Sequence, residues 1–343
     1  MNNSDNNFYN KSFSYIYVEE AAYEYAQTQD ILAKFPNAAI IPIKHYKDVF
    51  NRKNQDTVAQ KHSQQLILAV ERENFLYPGA AVCQNFGNKH FYYTSLMMNC
   101  IYDCEYCYLQ GMYPSGNLVI FVNIEDYFKK LEEMLCKHEI YLCISFDSDL
   151  MAFEHITGYV GKWIDFCRTH PILTIEVRTK SANFAAIKEL APPSNVILAW
   201  TLTPDYVVAN HEHKTPSLNA RLAAAQAAIN AGYKARLCFD PVLLLPDYET
   251  IYGEFFEYVF SKINPDDIND VSFGEFRVSC DYLKRMRKLR PCSALLQYPY
   301  DTTGGVAAYD RERSQNLLVF IKNKLEKYFS EDKIYCWKGD EEQ

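Results

Sequence analysis

The stretch Tyr92 to Gln110 reads YYTSLMMNCIYDCEYCYLQ and sets the terms for the rest of the chain. Cys100, Cys104 and Cys107 stand with spacers of three and then two residues, flanked by Tyr106 and Tyr108. Such spacing gathers thiolates round one inorganic centre, because soft sulfur donors select iron–sulfur clusters, zinc or Cu(I). A [4Fe–4S] cluster held by only three thiolates keeps one iron open to bind a reactant, which points towards chemistry. A zinc site completed by His90, or inert buried thiols, would use the same residues.

Outward from this stretch, the sequence from Phe91 alternates short β-branched or aromatic runs with amphipathic segments. The spacing predicts strands at Phe91–Leu96, Tyr141–Phe146, Leu173–Thr179, Val196–Leu202, Ala235–Asp240 and Val271–Phe276. Helices are expected at Ile124–His138, His155–Arg168, Ser181–Leu190, Leu218–Ala231 and Tyr248–Ile263, with Gly232 as a stop. Six strands alternating with helices predict an α/β fold with a parallel sheet, flat or rolled into a partial barrel. Residues 1–90 read as an N-terminal extension docking on residues 91–290, with a hairpin and helix in 291–343. In the extension, Tyr15–Val18 and Ala38–Ile43 look like strands, Glu19–Phe35 looks helical, and Asn51–Ser63 is polar and linker-like.

Functional groups gather at the carboxyl ends of strands in β/α architectures. The cysteine loop follows the first predicted strand. Asp147, Ser148 and Asp149 follow the second, Thr179 and Lys180 the third, Thr201 and Thr203 the fourth, Asp240 the fifth and Arg277 the sixth. All belong to one mouth.

Composition bounds the setting. The 343 residues are 48% hydrophobic and 23% charged, a globular balance. No run could span a membrane, the first residues lack a signal peptide's apolar stretch, and eleven cysteines without a secretory signal read as thiols and metal ligands. A cytoplasmic, monomeric protein is expected. A net charge of −8 argues against an extended polyanion-binding surface but leaves room for a local patch, the densest being Lys284, Arg285, Arg287, Lys288 and Arg290.

The cysteine spacing, Tyr106 before Cys107 and the six β/α units together resemble the radical S-adenosylmethionine enzymes. Within them, Cys104-Glu-Tyr-Cys-Tyr-Leu-Gln110 is similar to the motif of the spore photoproduct lyase family. So, in order and spacing, are Asn123, Ser148-Asp149 followed by Glu154-His155-Ile156-Thr157, Arg178-Thr-Lys180, Arg221-Leu-Ala-Ala-Ala225 and Ala231-Gly-Tyr-Lys234. The resemblance implies a partial (β/α)6 TIM-like barrel that binds a [4Fe–4S] cluster and S-adenosylmethionine. It implies repair of the spore photoproduct, 5-thyminyl-5,6-dihydrothymine, in ultraviolet-damaged DNA through a 5′-deoxyadenosyl radical. An electron donor such as flavodoxin or ferredoxin would feed the cluster, and a spore former would carry the protein in its spore core.

Carried over by residue, the resemblance places the cluster on Cys100, Cys104 and Cys107, with adenine against Tyr106. The cofactor's methionine and ribose would lie near Ser148, its neighbour Asp149, Lys180 and Thr201. Tyr108 would lie on the radical path. Phe146 stands where better-known members have a cysteine hydrogen donor, and Cys83 is the expected substitute. Relatives also carry a basic C-terminal hairpin, whereas Gln297 to Val306 has hairpin turn chemistry with little charge. DNA contact is therefore expected from Arg277, Arg285 and Arg287, with Tyr298 and Tyr309 stacking or wedging. A paralogous radical enzyme with another substrate, and a zinc-stabilised nucleic-acid binding module, remain the alternatives.

Overall fold

The computed structural model describes residues 13–79 and 83–337. Seven parallel strands form its main sheet in strict chain order: β1 (Phe91–Tyr93), β2 (Ile140–Cys143), β3 (Leu173–Thr179), β4 (Val196–Thr201), β5 (Lys234–Val242), β6 (Asp270–Glu275) and β7 (Ile334–Cys336). Tyr77–Pro78 adds an antiparallel edge beside β1. Every buried residue of β4 and β6 is enclosed on both faces, the condition under which parallel strands lose their polar alternation. The curled sheet is the partial barrel expected from the sequence.

The crossover helices are α1 (Ile124–Leu135), α2 (Tyr159–Thr169), α3 (Leu218–Asn230) and α4 (Tyr248–Lys262). On α1, Ile124, Tyr127, Leu131 and Leu135 make one buried stripe at helical spacing. Ser217 caps α3 by accepting from the Ala220 amide at 3.3 Å, and Gly232 ends it at φ +90°. Two more helices follow, α5 (Cys280–Leu289) and α6 (Arg311–Leu325).

Three expectations are corrected. Ser181–Leu190 forms only the tight turn Phe184–Ala186, because side-chain ties hold the segment as a loop. Asn183 donates to the Met151 carbonyl at 3.0 Å, and Trp200 Nε1 to the Ser181 carbonyl at 3.1 Å. Glu19–Phe35 is interrupted at Tyr25, whose ψ of 130° separates a short 3₁₀ turn from Ala26–Leu32. Asn51–Ser63 contains a helix, Thr57–His62, capped by Asp56.

The N-terminal strands are themselves part of a sheet, ordered Ala39–Ile43, Tyr15–Glu19, Leu66–Ala69, Leu118–Phe121 and Met97–Met98. Leu118–Phe121 comes from beyond the cysteine loop, so that loop is strung between the two sheets. The C-terminal hairpin pairs Asp301–Thr303 with Val306–Ala308 across Gly304-Gly305, both at positive φ as a two-residue primed turn requires. Val278–Ser279 is its third strand.

Inside the barrel, buried Arg236 forms a two-pronged ion pair with Asp270, pairs also with Glu176, and donates to the Tyr141 hydroxyl at 2.6 Å. Its guanidinium lies 3.5 Å from the Phe86 ring centroid, so the loop after Cys83 packs on the same charge. Replacing Arg236 with Met would strand the buried Asp270 carboxylate and leave Glu176 to Arg178 alone, 3.0 Å away, a change that costs about 3–5 kcal/mol. The expected result is a large fall in the urea midpoint of Arg236→Met, with a smaller one when Glu176 and Asp270 are neutralised as well.

Candidate active site

After β1 the chain crosses to the other sheet and enters the cysteine loop, whose main chain is held from several sides. Asn99 takes φ +67° and donates to the Ser115 and Asn117 carbonyls at 2.7 Å each. Lys61 Nζ donates to the Cys100 carbonyl at 2.7 Å, Gln64 donates to the same oxygen at 3.1 Å, and Gln110 donates to the Cys104 carbonyl at 2.6 Å. Asp103–Cys104 pairs antiparallel with Glu212–His213. With the backbone so tied, the three thiols are left free.

Burial pushes these thiols up, Cys100 to about 12 and Cys104 well above the ordinary thiol value. Thiolates so placed need a compensating positive centre, which a bound iron–sulfur cluster provides. Among the described residues no three His, Cys, Asp or Glu side chains converge to share one metal ion. His90, the zinc candidate, lies before β1 at the opposite end from the loop, its ring stacked on His138 at 3.8 Å. Three soft thiols on one loop are the donor set an iron–sulfur cluster takes, and His90 does not stand with them to complete a zinc site.

Tyr106 projects into the protein and its hydroxyl donates to Glu212. Glu212 also accepts from Thr203 at 2.9 Å and forms a wholly buried ion pair with Arg221. Arg221 in turn donates to Thr215 Oγ1 at 2.7 Å, the Pro216 carbonyl at 3.0 Å and the Thr201 carbonyl at 3.3 Å. Burial would raise the Glu212 carboxyl, but Arg221 and these donors hold it below the ordinary range. One residue thus fixes the Tyr106 ring by its side chain and Cys104 by its main chain. Sequence reasoning missed Glu212, because a carboxylate within His211-Glu-His-Lys214 reads as solvated loop.

Lys180 Nζ lies 5.4 Å from the Tyr106 ring centroid, and the buried Ser148 Oγ has no hydrogen-bond partner. Both suit a polar ligand lying over Tyr106. Thr201 is buried at the end of β4 on the same side. Asp149 does not belong with them. Its carboxylate accepts from Thr179 Oγ1 and the Lys180 amide at 2.7 Å each and from the Ala152 amide at 3.1 Å, so it shapes the mouth without facing it.

The Tyr108 hydroxyl donates to the Phe146 carbonyl at 2.8 Å and lies 3.4 Å from Asp147 Oδ1. Phe146 stacks on Tyr93 at 4.0 Å, and Tyr93 on Tyr77 at 5.0 Å, an aromatic ladder along the edge of the mouth. Cys83 is half-buried in reach of Arg178, Arg277 and Asp240, and its charge is felt at Tyr93 and Tyr108. Burial raises its thiol despite the two arginines. Cys143 instead hydrogen-bonds Glu176 at 3.7 Å inside the barrel.

The expected DNA contacts divide. Arg277 stands at the mouth, 3.6 Å from Asp240, with its guanidinium 4.3 Å from the Trp337 ring centroid, a partner absent from the sequence reading. Arg287 is committed to the Leu296 and Tyr298 carbonyls at 2.6 and 2.7 Å, and Arg285 to the Gly111 carbonyl at 3.0 Å. Tyr309 is buried, its hydroxyl accepting from the Leu244 amide at 3.0 Å, so it cannot stack on a base. Tyr298 is half-buried and accepts from Arg313 at 2.6 Å.

Glu212→Gln would leave Arg221 a buried cation without its counter-charge, which costs about 3–5 kcal/mol, whereas Tyr106→Phe removes one hydrogen bond worth about 1–3 kcal/mol. Denaturant titration of the two variants is expected to rank them in that order, with Tyr106→Phe still folded at 25 °C.

Comparison with known proteins now bears on this geometry. The family model described as spore photoproduct lyase matches residues 12–337. The spore photoproduct lyase of Clostridium acetobutylicum is 23% identical over 348 residues, covering 94% of this chain and 98% of that protein. That of a Geobacillus strain is 23% identical over 246 residues, covering 71% of this chain and 69% of that one. A solved spore photoproduct lyase variant with bound AdoMet and dinucleoside spore photoproduct superposes with a TM-score of 0.81 at 21% identity, covering 96% of this chain and 100% of that one. Another, complexed with dinucleoside spore photoproduct, gives 0.80 at 20% identity, covering 96% and 99%. With the family model spanning both sheets, the cysteine loop and the hairpin, the chain belongs to the spore photoproduct lyase family.

Proposed function

We propose that the chain is a radical S-adenosylmethionine lyase that returns the spore photoproduct in ultraviolet-damaged DNA to two thymines. The observation that carries this reading is the set of three free thiols on a rigid loop at the mouth, beside the Tyr106 ring and the unpartnered Ser148 hydroxyl. Cys100, Cys104 and Cys107 would hold a [4Fe–4S] cluster, and Tyr106, Ser148, Lys180 and Thr201 would hold S-adenosylmethionine. Once bound and reduced by one electron, these groups supply a 5′-deoxyadenosyl radical that can take the hydrogen from the lesion's C6.

The chain's own residues then orient and finish the reaction. Tyr108 is held by its hydrogen bond to the Phe146 carbonyl, so its hydroxyl has one direction at the mouth. Phe146 has no hydrogen to give; it extends the Tyr77–Tyr93 ladder, against which a thymine ring can stack. Cys83 takes over as donor. Its raised thiol keeps the S–H bond that hydrogen return to the product radical consumes, and Tyr108 would restore it. Arg277 is the cation best placed for a phosphate at the mouth. Eleven free thiols suit a reducing cytoplasm, and no helix among the described residues is long and apolar enough to cross a membrane. We take the chain as a monomer fed by a flavodoxin or ferredoxin.

Reduced protein incubated with S-adenosylmethionine and the dinucleotide lesion is expected to release thymidylyl-thymidine. Cys83→Ala is expected to give less of it, together with a by-product; equal yield without by-product removes Cys83 from the path. Cofactor cleavage with no thymidylyl-thymidine would assign another substrate. Because Arg285 and Arg287 are committed to carbonyls, binding of irradiated oligonucleotide is expected to show a shallow salt slope, equivalent to about one to three phosphate contacts.

A further inference from the structure

We propose that the exposed edge of α5, with Lys284 and Lys288 at its centre, is the docking surface for the acidic electron carrier that reduces the cluster. The proposal rests on the cluster placement given under Proposed function and names the partner that site requires.

The basic run was a candidate for DNA contact, but its position argues for a different occupant. The N-terminal end of α5 starts near the mouth, where Tyr282 is close enough to Tyr93 to act on its phenol electrostatically. The remainder runs along the outside of the cysteine loop. Arg285 donates to the Gly111 carbonyl at 3.0 Å, and Arg290 donates to Gln110 Oε1 at 2.7 Å and pairs with Asp103. Contact is as close as backbones allow, since a Cβ on Gly111 would meet the Tyr282 main chain at 2.6 Å. One side of α5 is therefore pressed on the turn that follows Cys107, and the opposite side is open to solvent.

That open side is mainly basic, with Asp281 the one carboxylate of α5 exposed on it. Lys284 and Lys288 are exposed at i and i+4, with Arg285 between them reaching back to the Gly111 carbonyl, and neither lysine makes an ion pair among the described residues. On the other flank of the loop, Lys61 caps the Cys100 carbonyl and Lys214 donates to the Lys61 carbonyl at 2.6 Å. The carboxylates of the loop already have partners: Asp103 pairs with Arg290, and Glu105 is hydrogen-bonded to His211, His213 and Ser293. On a chain of net charge −8, this mainly basic strip, across α5 from the turn that follows Cys107, is a local reversal of sign. Electrostatic complementarity steers an acidic partner to such a strip and sets its register. A helix is about 10–12 Å across, so a redox centre docked there would lie within electron-transfer range of the loop. Arg277, by contrast, stands at the mouth beside Asp240. The carrier loses one electron and the cluster gains it, so no other co-reactant is needed.

The test uses the full chain and the double variant Lys284→Glu/Lys288→Glu, with a bacterial flavodoxin as probe. Titration at low ionic strength is expected to show flavodoxin affinity weakened about tenfold or more, with parent and variant converging at high salt. Release of 5′-deoxyadenosine driven by flavodoxin and its reductase is expected to fall in step, while release driven by dithionite stays at the parent level. Lys284→Gln/Lys288→Gln is expected to lose affinity in the same direction by a smaller factor. Unchanged flavodoxin affinity overturns the proposal, as does no measurable binding to the parent. So does an equal loss with dithionite, or lost affinity for irradiated oligonucleotide with flavodoxin binding intact. If dithionite drives no release in the parent, the proposed chemistry fails, yet the titration still decides the docking surface.

Discussion

The buried ion pair between Glu212 and Arg221 is the interaction on which the site depends. Neither charge is exposed, so neither tolerates loss of the other, and both are further satisfied by Tyr106, Thr203, Thr215 and two carbonyls. Its use is geometric. The segment Glu212–His213 is a strand only two residues long, and by itself would not hold the cysteine loop. Anchoring its first residue to Arg221 on α3 makes that short ladder rigid, and Cys104 inherits the rigidity through its main chain. Tyr106 takes its ring position from the same carboxylate, so ring and thiol keep a fixed relation.

A second charged centre lies lower in the barrel and does a different task. Arg236, with Glu176, Asp270 and Tyr141, fills the interior where a larger barrel would have layers of aliphatic side chains, and Phe86 lies over it. Seven strands do not close a barrel. The gap between β7 and the edge formed by β1 with Tyr77–Pro78 is crossed by the loop after Cys83, with Gln84 donating to the Cys336 carbonyl at 3.1 Å. The buried arginine thus anchors the segment that carries the Cys83 thiol to the mouth.

The sequence was most legible where one period or one spacing dominated. The six strands from Phe91 to Phe276, the Ala-rich α3 and its glycine stop, and the cysteine triad all fall in that class. Leu118–Phe121 and Ile334–Cys336 were missed because three or four residues give no period, and each becomes a strand only through a neighbour distant in sequence. Ser181–Leu190 had the composition of a helix, yet Asn183 and Trp200 hold it as a loop. Among site residues, a motif places cysteines well and charges poorly. Asp149, Arg285 and Arg287 stand where ligand contacts were expected but spend their polar atoms on the protein, while Glu212 and Trp337 emerge only from packing.

The departure at Phe146 is then a redistribution of roles. The side chain at this position stacks with Tyr93 and Tyr77, while its carbonyl still fixes Tyr108. A thiol there would have stood just beyond the end of β2. Cys83 instead enters from the segment bridging the open side of the barrel, beside Arg178 and Arg277. The proposed donor thus stands on the side of the barrel gap, and the aromatic ladder stands on the edge formed by Tyr77, Tyr93 and Phe146. Cys83 and the stacked rings therefore lie on elements other than the cysteine loop held by Glu212, whereas Tyr108 follows Cys107 directly and is fixed with it.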